Sequence, residues 1–145
     1  MIFKVDLIHN LDFYSKEEFN VINDLFNKLN WYGELEPSNG SVILLTKVSH
    51  IIENFFIENN ILWGNIKLLD TTNGKIIKEI LKDVNFNILP ILNRENRILN
   101  ILDNTDHKYI YPSDLLKLYG LMFCKRASYK GNKLYKIFTF DIISS

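Results

Sequence analysis

Apolar and polar positions alternate in some stretches of this chain and recur at helical spacing in others. Residues 2–8 (IFKVDLI) read as a strand of mixed alternation. Ser15-Lys16-Glu17-Glu18 is a capping box, with Ser15 accepting from a first-turn amide and Glu18 reaching back. Phe19, Ile22, Phe26 and Leu29 follow at spacings of 3, 4 and 3, which predicts one apolar stripe on a helix. Gly33 and the stretch Pro37–Gly40 punctuate the chain. Residues 42–57, rich in Val, Ile and Phe, predict β structure, and residues 61–69 resume it. Asn59-Asn60 predicts a hairpin turn between them, because asparagine tolerates positive φ.

Asp70–Gly74 reads as a turn and helix start, with Ile76, Ile77, Ile80 and Leu81 as the buried side of a short helix. Residues 85–92 and 97–102 read as strands turning at Asn93–Asn96. Pro112-Ser113-Asp114 starts another short helix, with Leu115, Leu118, Tyr119 and Met122 at helical spacing and Gly120 near its end. Residues 121–126 predict a strand, Tyr129–Lys133 a hairpin loop, and residues 134–143 a final strand. Strands and two or three helices mix without strict β-α-β alternation. The expected class is α+β, a mostly antiparallel sheet or barrel flanked by two or three helices. No linker or internal repeat divides it, so residues 1–145 are expected to form a single domain.

Composition narrows the function. Apolar residues make up 47% and charged residues 23%, enough for a packed core. Seventeen basic and 17 acidic residues leave no net charge. No global field then draws the protein to nucleic acid or anionic membrane, and nothing keeps copies apart. Cys124 is the single cysteine, so an intrachain disulfide and a thiolate-rich zinc site are excluded. The N-terminal run carries Lys4, Asp6 and Asp12 and lacks a signal-peptide pattern. No apolar run approaches the ~18 residues of a membrane span.

Candidate chemistry is sparse. His9, His50 and His107 lack ligand spacing, and Asp103, Asp106 and His107 read as a hydrated loop, so no metal or cofactor is expected. Cys124 lies in the apolar context LMFC and reads as a buried, inert thiol. Neither a phosphate-binding glycine loop nor a nucleophile elbow occurs. His50, between Ser49 and Ile51, reads as a core or edge histidine with a satisfied ring nitrogen. Lys125, Arg126, Lys130, Lys133 and Lys136 interleave with Tyr129 and Tyr135, a combination that single-strand binders use. The simpler reading of that patch is a solvated hairpin tip.

Several segments together resemble the prohead (capsid-maturation) proteases of tailed phages, particularly the T4-like type. They are Tyr14-Ser15-Lys16-Glu17, Gly33-Glu34-Leu35-Glu36-Pro37, Val48-Ser49-His50-Ile51-Ile52, Leu69-Asp70-Thr71-Thr72-Asn73-Gly74-Lys75 and Phe140-Asp141-Ile142-Ile143-Ser144. Between the third and fourth lie Phe55–Asn60 and Leu62–Ile66, matching an aromatic-rich strand, a turn and a second strand. The resemblance implies the fold of herpesvirus assemblins and a serine protease ancestry.

The family's general base is the histidine of Gly-Glu-Leu-x-His-Pro. Here Glu36 is followed directly by Pro37, so that histidine is absent. The family's nucleophile lies in a Gly-aliphatic-Ser-Ser-Arg-Gly segment, for which the matching stretch is taken as Asn87–Leu92, with Leu89 and Pro90 at its heart. Without base and nucleophile the chemistry should be lost. The expectation is therefore a catalytically silent structural or assembly component of a virion, with no catalytic residue. Its expected partners are phage structural or capsid proteins in an oligomeric assembly, in the virion or in the host cytoplasm during assembly, with no membrane. Trp31, Tyr32 and Trp63 are candidate interface anchors. Residues 93–133 form a longer insertion than the family suggests. Two alternatives stand beside this reading. One is an active capsid-maturation protease with a displaced dyad drawing on His50 and Asp141. The other is a small nucleic-acid-binding module built on the patch from Lys125 to Lys136.

Overall fold

Strand β1 (Ile2–Ile8) buries Phe3, Val5 and Ile8, leaves Lys4 exposed, and breaks the alternation by burying Asp6 as well. In the computed structural model, which describes residues 1–37, 40–84, 86 and 111–145, β1 lies antiparallel to β4 (Ile61–Leu68). β4 returns from β3 (Val48–Glu58) through Asn59 and Asn60 at φ 53° and 64°. Two positive-φ residues give the mirror-image turn whose twist suits a hairpin. β3 pairs on its far side with β2 (Trp31–Glu34), completing an antiparallel sheet in the order β1-β4-β3-β2.

A second, two-stranded ribbon joins β5 (Leu121–Lys130) to β6 (Lys133–Ser144). The two sheets meet along β2 and β6. Leu35 forms a parallel bridge to Ile142, Glu36 N donates to the Ile142 carbonyl at 2.9 Å, and the Thr139 hydroxyl donates to the Tyr32 carbonyl at 2.7 Å. The sheets do not close into a barrel. Helix α3 (Pro112–Leu118) packs against both β1 and β5. Helix α1 (Lys16–Asn23) packs on β6, and α2 (Thr72–Ile80) on β3 and β4. Phe140, Ile52, Leu62, Ile66, Ile77 and Leu116 are fully buried between these layers. Fully burying an aliphatic side chain contributes roughly 1.5–3 kcal/mol, so this interior is the main source of stability.

The architecture is the expected α+β one, and the Ser15–Glu18 capping box is present with both of its bonds. Local details differ. α1 tightens into a 3₁₀ turn at Asp24–Asn27, which brings Leu25 inward and leaves Phe26 and Leu29 exposed. In a 3₁₀ segment side chains repeat every three residues, so the α-helical stripe drifts off the core. Residues 42–47 are loop and a 3₁₀ turn (Leu45–Lys47), not strand. Gly33 is not punctuation; it lies within β2. Of the four apolar residues expected on the buried side of α2, Ile77 and the capping Leu81 are buried, while Ile76 and Ile80 are exposed. On α3 Leu115 and Leu116 are buried, and Leu118 and Tyr119 are exposed. Of residues 93–133, the part from 111 onward supplies α3 and β5. The strands expected at 85–92 and 97–102 lie outside the described residues, apart from Phe86, which stacks on Phe3.

Candidate functional site

Among the described residues, Glu34, His50, Arg126 and Asp141 gather where β2, β3, β5 and β6 meet, whereas the buried Asp6 lies apart on β1. Gly33 makes the approach possible. A Cβ there would stand 2.1 Å from His50 Nε2 and 2.4 Å from the Phe140 carbonyl oxygen. With only hydrogen in that space, the His50 ring crosses from β3 and bonds to the Phe140 carbonyl at 2.9 Å. A carbonyl only accepts, so Nε2 carries the proton. Nδ1 therefore accepts, and the Ser49 hydroxyl donates to it at 2.7 Å. Both residues are wholly buried. Burial pushes the His50 pKa down to about 4, against the opposing pull of the Phe140 carbonyl and the Asp141 charge. The imidazole is neutral at physiological pH.

Asp141 follows on β6. Its carboxylate accepts from the Glu34 amide at 2.9 Å and from Arg126 Nε and Nη2 at 2.8 Å each. The same guanidinium lies 3.2 Å from Glu34 Oε1 and donates to the Val42 carbonyl at 2.9 Å. Glu34 Oε2 accepts from the Leu44 amide at 2.5 Å. The Arg126 side chain is 9% exposed and those of Glu34 and Asp141 are 0% and 2%. Burial works against the Arg126 charge, but the bonds and charge of Asp141, with Glu34, outweigh it and raise the pKa. The fork geometry of arginine suits two carboxylates and a carbonyl at once.

The surrounding backbone is tied to the same junction. Glu36 adopts φ 49°, and its carboxylate accepts from the Ser144 amide at 2.8 Å and hydroxyl at 2.6 Å. Those bonds hold its pKa below the ordinary carboxylate value. Thr71 caps α2 and donates to the Val48 carbonyl at 2.6 Å, while the Asn73 amide donates to the Lys47 carbonyl at 3.0 Å. Gly74 passes so close that a Cβ would stand 2.0 Å from the Leu69 carbonyl oxygen.

Ser49 and His50 have the contact of a nucleophile and a base, but neither reaches solvent. The ring's other nitrogen is held by a backbone carbonyl rather than by Asp141, whose bonds go to Arg126 and Glu34. The arrangement stores charge pairs and fixes strands; it exposes no reactive atom.

Other residues singled out from the sequence fall elsewhere. Arg126 leaves the basic patch for this buried junction, a position set by the β5–β6 register and its irregularity between Arg126 and Ala127. Cys124 is exposed on β5, not buried, because the strand turns it away from the core. Glu36 and Pro37 lie beside β6, whereas Leu89 and Pro90 are outside the described residues, as are Asp103, Asp106 and His107. Trp31 is half-buried, donating to the carbonyls of Leu25 and Lys28 at 3.2 and 3.0 Å. Tyr32 is 44% exposed. Trp63 stacks on Phe56 under the Lys4 ammonium. Among the described residues no group of three His, Cys, Asp or Glu side chains is placed to hold a metal. Sequence reading missed Glu34, Ser49 and Thr139 as buried polar groups; a strand pattern carries no mark of which polar residue faces inward.

Comparison with family models, curated proteins and solved structures finds no match to this chain.

Proposed function

We propose that this chain is a catalytically silent relative of the phage prohead proteases, working as a structural or assembly component of the particle. The observation that carries this reading is the convergence of four separate segments. Gly33–Pro37, Val48–Ile52, Leu69–Lys75 and Phe140–Ser144, each of which carries the resemblance, pack and hydrogen-bond together at one junction. At that junction the side chains of Glu34, Ser49, His50 and Asp141 are buried and hydrogen-bonded within the protein. The Ser49–His50 pair is sealed and neutral, so a substrate carbonyl has no path to the hydroxyl. Lost catalysis with a retained frame suits a subunit that works through contacts with phage structural or capsid proteins.

Two measurements test the reading. Purified protein incubated with capsid or scaffold protein should leave it intact, with an active prohead protease as positive control. A fluorophosphonate probe should not label the folded chain. Cleavage lost in Ser49→Ala, or labelling at Ser49, points instead to an active protease with a displaced dyad. Ser49→Ala removes one hydroxyl and is the milder companion to His50→Ala, which threatens folding.

A further inference from the structure

The far end of the β5–β6 ribbon has a chemistry that the buried junction does not use. Between Asp114 and Asp141 stand Lys117, Lys125, Arg126, Lys130, Lys133 and Lys136, and no acidic residue. Arg126 is consumed inside the fold. Lys130, Lys133 and Lys136 are exposed around the turn at Gly131. The chain as a whole is neutral, so the remainder is correspondingly acidic and this ribbon is a local pole.

The lysines are not loose. Lys130 Nζ lies 4.0 Å from the Tyr135 ring centroid, Lys136 Nζ 5.3 Å from Phe138, and Lys125 Nζ 5.7 Å from Tyr129. Cations held over aromatic rings lose less freedom when they meet an anion. Beside them opens a cavity of about 280 Å³ between α1 and β6, lined by Val21, Leu25, Trp31, Ile137, Tyr135 and Lys136, with Asp24 also on its wall. The floor is apolar, and the wall that continues into the ribbon is cationic.

We infer that this surface docks an acidic peptide segment of a partner protein, with an apolar side chain in the cavity and following carboxylates on Lys136, Lys133 and Lys130. Charge complementarity names the partner's sign, and the apolar floor names its anchor. Single-stranded nucleic acid fits less well. Base stacking needs free ring faces, and an ammonium over Tyr129, Tyr135 and Phe138 leaves at most one face of each ring for a base. Two acids lie close by. Glu18 is engaged by the Leu134 amide at 2.9 Å with Lys133 nearby, and Asp24 opposes the peptide's charge. This inference goes beyond the assembly reading and does not depend on whether the chain hydrolyses anything.

The probe is a fluorescein-labelled peptide with one leucine followed by a run of glutamates. The comparators are its glutamine counterpart and a labelled oligothymidylate. The acidic peptide should bind about tenfold or more tighter than the glutamine peptide, and more weakly as salt rises. Lys130→Glu with Lys136→Glu should cost about tenfold in affinity, and Asp24→Asn should tighten binding. Circular dichroism of each variant verifies the fold, and Lys133→Gln provides a gentler change in the same direction. Tighter binding of oligothymidylate would assign the ribbon to nucleic acid and overturn the proposal. So would acidic-peptide binding unmoved by charge reversal, or no binding below about 1 mM.

Discussion

His50 on β3 donates its Nε2 proton to the carbonyl of Phe140 on β6 at 2.9 Å, through the space that Gly33 leaves by having no side chain. Gly33→Ala would place a methyl group on both partners. The neighbours are a buried ring and a backbone carbonyl, so neither can yield cheaply. The variant should lose about 3 kcal/mol, read as a lower urea midpoint with an unchanged m-value. A midpoint equal to wild type would show that the strands separate freely here.

The neutral state of His50 predicts a pH dependence. In the unfolded chain the ring takes up a proton below its ordinary value of 6.5, whereas in the folded protein it resists until about 4. The unfolded state therefore binds more protons across this window, and stability falls as pH drops from 6.5 towards 4. The loss amounts to about 3 kcal/mol. His50→Gln offers a neutral donor and acceptor in the same place and should flatten this slope in urea titrations. Glu18 and Glu36 have lowered values, so their contributions are lost separately, below the ordinary 4.5. An unchanged slope in His50→Gln would place the acid sensitivity elsewhere.

Arg126 lies between the buried carboxylates of Glu34 and Asp141. Arg126→Met takes the guanidinium from between Glu34 and Asp141 and should cost about 3–5 kcal/mol. Adding Glu34→Gln should recover part of that loss, since a buried like-charge pair is then removed. Arg126→Lys keeps the charge but loses the fork and the Val42 bond, and should be milder. Thermal unfolding of the three variants gives the order. Equal losses in all three would show that packing, not charge, holds the junction.

Asp6 fastens α3 to the sheet. Its carboxylate accepts from the Ser113 amide at 2.9 Å, the Ser113 hydroxyl at 2.5 Å and His9 Nε2 at 2.6 Å. Asp6→Ala should cost about 3 kcal/mol and loosen α3 first. Hydrogen exchange should then accelerate at Leu115 and Leu116 well before Ile52 and Ile66 on the central strands. Uniform acceleration would mean that α3 and the sheet open as one unit.

How much of this was visible in the sequence depends on distance along the chain. The Ser15–Glu18 box, the Asn59-Asn60 turn and the hairpin at Gly131 could be read because each needs only a few neighbouring residues. β2 could not, since four residues interrupted by glycine carry too short a pattern, and β3 supplies the pairing. Phe26 and Leu29 misled for a related reason: helical spacing holds only while the helix stays α-helical.

The sequence by itself determined the class of the fold, its turns and caps, its neutrality and the presence of segments that resemble a prohead protease, because these depend on composition and local spacing. Tertiary structure alone decided that Glu34 would meet Asp141 across 107 residues, that Arg126 would leave a surface patch to sit between them, and that His50 would be sealed and neutral. Charge state and burial depend on which distant strands pack together, and no local pattern of residues encodes that.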